Sequence, residues 1–151
     1  MSARKSFIQT AQERIQRQLH DGDEAQFFRG MKVVATDPGD IEASVARALA
    51  EVGICVVVEV LGGPAPVPED PTEWDASVTV VERPAVNRAD RFDGKTADVV
   101  VDAVLRTFAN GGYFRAVRVR PASEEGVAAY EIEGKTTIVL REAAEGQGGE
   151  C

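Results

Sequence analysis

The stretch from Ser77 to Gly112, SVTVVERPAVNRADRFDGKTADVVVDAVLRTFANGG, constrains the fold more than any other part of the chain. Ser77–Glu82 alternates as a half-buried strand does. Arg83-Pro84 closes that run, because proline supplies no amide to a ladder. Ala85–Asp93 reads as a turn region. From about Thr96 to Ala109, Val100, Val101, Val104, Leu105 and Phe108 recur at helical spacing and define a wide apolar face. Asn110-Gly111-Gly112 then offers a left-handed C-cap. A strand joined to a one-sided helix must bury both apolar surfaces together, which calls for a two-layer α+β arrangement. The unit holds no nucleophile beside a base, no set of metal ligands and no phosphate loop, so no chemistry follows from it.

Other elements extend this plan. Ile8, Ala11, Ile15 and Leu19 form one stripe of a first helix, which Asp21-Gly22-Asp23 stops. Met31–Thr36 is either a short strand or irregular. Asp37-Pro38-Gly39-Asp40 is a turn, with Asp40 the expected N-cap of a second helix. That helix would bury Ile41, Val45, Ala48, Leu49 and Val52 and end at Gly53. Ile54–Leu61, ICVVVEVL, is almost wholly apolar and β-branched, as a strand covered on both faces or central in a sheet would be. Gly62–Trp74 contains four prolines and reads as a loop between two strands, which Trp74 anchors to the body. Tyr113–Arg120 alternates as a half-exposed strand, with Arg115, Val117 and Val119 opposed to Phe114, Ala116, Arg118 and Arg120. Val127–Glu133 and Thr136–Leu140 read as a hairpin around Glu133-Gly134-Lys135. The expected fold is therefore a two-layer sandwich with helices on one face of a mixed or antiparallel sheet. Residues 1–141 would form a single domain and residues 142–151 a disordered tail.

At 151 residues and 44% apolar content the chain can bury a sizeable core, roughly 70% of its unfolded surface at this length. No run approaches the ~18 consecutive apolar residues of a membrane span. The start, MSARKSFIQTAQERIQ, lacks the apolar segment of a secretory signal. Cys55 lies in an apolar run and Cys151 is the last residue, a poor pair for a disulfide. Synthesis in a reducing cytoplasm, with no membrane contact, is the expectation.

The net charge of −8 is unevenly spread. Residues 1–20 carry +3, 21–76 carry −9, 77–121 carry +3 and 122–151 carry −5. A strongly acidic chain is a poor general binder of nucleic acid, whose affinity comes from neutralised phosphates. Blocks of alternating sign suit contacts between copies, or with a partner, through complementary patches.

Several apparent motifs carry no chemistry. Gly94-Lys95-Thr96 and Gly134-Lys135-Thr136 echo the end of a phosphate-binding loop, but Ala89 and Ala129 stand where its first glycine belongs. His20, the one histidine, ends an exposed helix without metal-binding or triad partners nearby in sequence. Cys55 reads as a small core residue with a raised pKa. Asp98 and Asp102, one turn apart, read as a solvated face. Neither a catalytic residue nor a cofactor is implied, and the expectation is a protein that is not an enzyme.

A basic set remains. Arg118 and Arg120 share one strand face, and with Arg83, Asn87, Arg88 and Arg115 they are the candidate assembly interface. Guanidinium groups there could bind carboxylate or phosphate. An acidic patch on a second copy is the better partner in a chain so rich in carboxylates.

The order of helix, apolar strand, Pro-rich loop, strand, VVERPAVNR turn, GKTADVVVDAVLRTF helix, strand and hairpin resembles the small tail-terminator or tail-completion proteins of long-tailed bacteriophages. TDPGDIEASVARALAEVGICVVV is likewise similar to phage tail or neck proteins, and the likeness spans residues 30–140. It implies a structural virion protein at the head–tail neck, forming a homo-oligomeric ring, a hexamer, that caps the tail tube. Its partners would be copies of itself, the tail tube protein and the head–tail connector or stopper, with DNA only passing through the lumen. The short first helix and the acidic Pro-rich loop depart from the pattern and leave a head-closure stopper or another neck component open. A small non-enzymatic ligand-binding or regulatory α/β domain is the alternative from a different class.

Overall fold

A computed structural model of the chain describes residues 6–29, 31–34, 38–87 and 96–140. Helix α1, Phe7–Asp21, starts from a capping box. The Gln9 amide donates to Ser6 Oγ at 3.0 Å and the Ser6 amide to Gln9 Oε1 at 3.2 Å, so two amides that the helix cannot satisfy find acceptors. Its buried face is Ala11, Gln12, Ile15 and Leu19. A 3₁₀ turn at Ala25–Phe28 drops Phe28 fully into the core. Strand β1, Lys32–Val34, follows, then helix α2, Pro38–Glu51, and strand β2, Ile54–Gly62. Strand β3 is Thr72–Glu82, helix α3 is Ala97–Thr107, and β4, Arg115–Pro121, and β5, Ala128–Ile138, complete the sheet.

The strand order is β1-β2-β3-β5-β4. β1 runs parallel to β2, and the other neighbours are antiparallel, so the sheet is mixed. The expected α+β fold is present. Ile15 and Leu19 of α1 and Val100 and Val104 of α3 pack with Ile54, Val56, Val58, Val78, Val80 and Ile132 on one face of the sheet. α2 connects the parallel pair, and its Ala48 and Leu49 cluster with Cys55 and Val57. Strand alternation turns those two residues to the opposite face. β2 is therefore covered on both sides, and Ile54–Val58 is buried without a break. That double cover is why its sequence is continuously apolar rather than alternating.

Three expectations need correction. Glu133-Gly134-Lys135 is not a hairpin: β5 runs straight through it, paired with both β3 and β4. The hairpin lies earlier, between β4 and β5, closed where Glu124 bridges Val127. Gly134 is a site of close approach, since a Cβ there would sit 2.3 Å from the Arg115 carbonyl oxygen and 2.7 Å from the Phe114 ring. β3 begins at Thr72 rather than Ser77, so Trp74 lies inside a strand. It does hold the Pro-rich loop: its Nε1 donates to the Pro64 carbonyl at 2.7 Å, and its ring meets Phe7 edge-on at 5.3 Å. α2 starts at Pro38, which places Asp40 within the first turn rather than at the cap. Proline tolerates that position because the first helical amides have no intrahelical acceptor. The side chain of Ile41 and the tail at 142–151 lie outside the described residues.

Candidate assembly surface

The basic set divides in the structure. Arg88 lies outside the described residues. Arg83 is exposed at the end of β3, where its amide donates to the Gly53 carbonyl at 2.8 Å and its carbonyl accepts from Val86 and Asn87. It follows Glu82, which faces Ala128, whereas Arg115 faces Lys135 at the other end of β5. Arg83 therefore stands at the opposite end of β5 from Arg115.

Asn87 leaves the candidate interface. It is buried, and its Nδ2 donates to Glu82 Oε2 at 2.9 Å. Glu82 is itself buried, and its Oε1 accepts the Ala97 amide at the start of α3, also at 2.9 Å. This carboxylate at a helix N-terminus complements the dipole and satisfies an orphan amide. Asn87 thus locks the β3–α3 connection. Gly53 completes the joint: its φ is +92°, and a Cβ there would lie 2.4 Å from the Asn87 nitrogen.

Arg115, Arg118 and Arg120 come together more closely than alternation predicts. Simple alternation turns Arg115 away from the other two. The register shifts between Ala116 and Arg118, so Arg115 faces Lys135, Arg118 faces Glu133 and Arg120 faces Glu131. Those β5 positions differ by two, and the bulge at Val117 thereby puts all three guanidinium groups on one face. Among the described residues the sheet ends at β4, so this arginine-bearing face borders an open edge.

Carboxylates from β3 and β5 meet these arginines. Arg115 Nη2 is 3.0 Å from Glu73 Oε2, and Arg118 Nε is 3.2 Å from Glu133 Oε1. Arg120 reaches Glu131 at 2.9 Å and Glu133 at 3.0 Å. The hydrogen bond that Arg120 donates to Glu131, then the charges of Glu133 and Glu131, raise the Arg120 pKa. Lys135 pairs with Asp75. The arginine side chains stay 52–64% exposed, so these pairs contribute little to folding. Guanidinium carries five donors, so each Arg keeps capacity for a further carboxylate.

The start of β4 is held firmly. Phe114 is buried and meets Phe108 edge-on at 5.4 Å. Thr136 Oγ1 donates to the Tyr113 carbonyl at 2.6 Å, and Gln18 of α1 bridges the Gly111 carbonyl and the Tyr113 amide. Tyr113 itself is exposed beneath Arg14, whose guanidinium lies 5.6 Å from the ring centroid. With Gln18 and Asp21 they line a shallow hollow of about 260 Å³.

The rejected motifs are placed as follows. Thr96 sits at the N-cap of α3, while Gly94 and Lys95 lie outside the described residues. Gly134-Lys135-Thr136 is mid-strand. Burial pushes the Cys55 thiol up to about 12. Asp102 pairs with Arg106 one turn on, and the Thr96 hydroxyl lowers the Asp98 pKa. Among the described residues no three His, Cys, Asp or Glu side chains gather as a metal ion would require, and no helix is long and apolar enough to cross a membrane.

Together these features define an α+β domain whose sheet ends in a strand bearing three arginines, each paired with a carboxylate. Comparison with models of known protein families and with curated proteins finds no match.

Proposed function

We propose that this chain is a structural subunit of a phage tail or neck: a tail terminator whose copies form a ring at the end of the tail tube and join it to the head–tail connector. The observation that carries the reading is the β4 edge, where a bulge gathers Arg115, Arg118 and Arg120 beside an open strand. Their glutamate pairs are exposed and leave guanidinium donors over for a further carboxylate, which an acidic chain supplies in every neighbouring copy. Head-to-tail contacts that close into a ring need two different, complementary surfaces on each copy, and the uneven charge along the chain is compatible with that. With a net charge of −8, most of the molecule is ill suited to trap phosphates, so DNA could pass through an acidic lumen without sticking. The resemblance in element order to tail-terminator proteins points the same way.

A reconstruction of the particle tests this directly. The expected result is a ring of copies on the tail axis between tube and connector, with an acidic lumen. The reading fails if the protein lies away from that axis or if the ring presents a basic lumen.

A further inference from the structure

Five of the described cations, Arg106, Arg115, Arg118, Arg120 and Lys135, end on a carboxylate. Arg14 instead lies over the exposed Tyr113 ring, 5.6 Å from its centroid. Its neighbours one turn either way along α1 are Thr10, Ala11, Arg17 and Gln18, none of them acidic. Stacking occupies the face of a guanidinium and leaves the N–H groups around its rim to meet an oxyanion.

The setting is held in place. Gln18 Nε2 donates to the Gly111 carbonyl at 3.1 Å and its Oε1 accepts the Tyr113 amide at 2.8 Å, which ties α1 to the start of β4. Arg17 and Asp21 line the same hollow. Glu13 and Asp21 stand one turn to either side of Arg17 and temper its charge. The hollow therefore suits a single carboxylate better than a phosphate dianion, which Asp21 would repel.

Between exposed groups such a contact is weak. A tethered carboxylate is favoured over a free one, because its effective concentration reaches the millimolar range. The chain carries such a ligand: residues 142–151 hold three glutamates and no Lys or Arg. They lie outside the described residues and follow Leu140. Thr136, whose hydroxyl meets the Tyr113 carbonyl at 2.6 Å, precedes Leu140 by four residues, no more than about 14 Å of chain. Glu145 comes five residues after Leu140 and Glu150 ten, spans of up to about 17 and 33 Å, so both reach back to the hollow.

We infer that the acidic segment 142–151 folds back on its own copy and sets a glutamate against Arg14 and Arg17, over Tyr113. The inference goes beyond the phage reading and does not depend on it, since it concerns a contact within one copy.

The test is paramagnetic relaxation in the full chain. Cys55 is buried, so a nitroxide reagent labels Cys151. Amides of Arg14, Arg17 and Tyr113 should broaden more than those of Ala48 and Leu49, which pack against the opposite face of the sheet. Glu145→Gln with Glu150→Gln should reduce that excess by about threefold or more, as should Arg14→Gln with Arg17→Gln. Added salt should reduce it in the parent. Should the arginine variant fail to fold, the glutamate variant alone decides. The inference is overturned if Tyr113 broadens no more than Ala48, or if the glutamate variant broadens like the parent. It is also overturned if, in a mixture of spin-labelled and isotope-labelled chains, the label on one copy broadens Tyr113 of another as strongly as its own, because the contact would then join copies.

Discussion

At Gly134 the absence of a side chain is a packing requirement, because the Arg115 carbonyl and the Phe114 ring occupy the space of a Cβ. Both obstacles are fixed, one by the ladder and one by burial, so Gly134→Ala should destabilise the fold by about 1–3 kcal/mol. A lowered denaturant midpoint at unchanged m-value would show it; an unaltered midpoint would mean β4 can move aside. Glu82 makes a second residue-scale case. Its two oxygens accept from Ala97 and Asn87, and Glu82→Gln would set an amide NH2 against one of those donors. Leaving a buried donor without an acceptor costs about 1–3 kcal/mol, so this near-isosteric change should lower stability by that order. Cys55 adds a pH dependence. Burial raises its folded-state pKa from 9.0 to about 12, so the neutral thiol favours the fold fully below pH 9, and that contribution fades as pH rises toward 12. Alkaline denaturation should begin later in Cys55→Val than in the parent, and iodoacetamide at pH 8 should leave the Cys55 peptide unmodified.

Among the elements, β2 organises the rest, since helices on both faces and strands on both sides converge on it. Val57 is 5% exposed under α2, and Val57→Asp would bury a charge with no partner, enough to unfold a marginally stable domain. A soluble Val57→Asp protein that melts cooperatively would show that α2 packs loosely. This strand was legible because a run of eight residues broken only by Glu59 and otherwise apolar admits few other readings. Both helices with strong apolar stripes were legible for a similar reason. Gly134 misled because glycine signals a turn or a close approach equally well, and only the neighbouring strand decides between them. Thr72–Ala76 was hidden by the prolines just before it, although proline forbids only the positions it occupies. Of the candidate surface, the three arginines were visible, but their shared face depends on the bulge at Val117, a property of strand pairing rather than of local sequence. Asn87 looked exposed for the same reason: nothing nearby in sequence announces a buried Glu82 beneath it.

For the whole molecule, the question is whether the β4 arginines serve the fold or a neighbour. Their glutamate partners argue for the fold, but the exposure of the pairs limits what they add to it. Charge reversal would be a poor probe, because new carboxylates would face Glu131 and Glu133 across the strands and weaken the sheet themselves. Neutral substitution separates the two roles. Arg118→Gln with Arg120→Gln removes the charge, keeps a polar side chain and leaves Glu131 and Glu133 on a solvated face, so stability should change little. If the arginines hold a neighbouring copy, association of the folded double variant should fall far more steeply than its stability, and its remaining salt dependence should flatten. If the proposed tail role holds, the same change should make joined head–tail particles rarer in infected cells while the protein stays soluble. A variant that assembles like the parent would assign these arginines to the ladder alone.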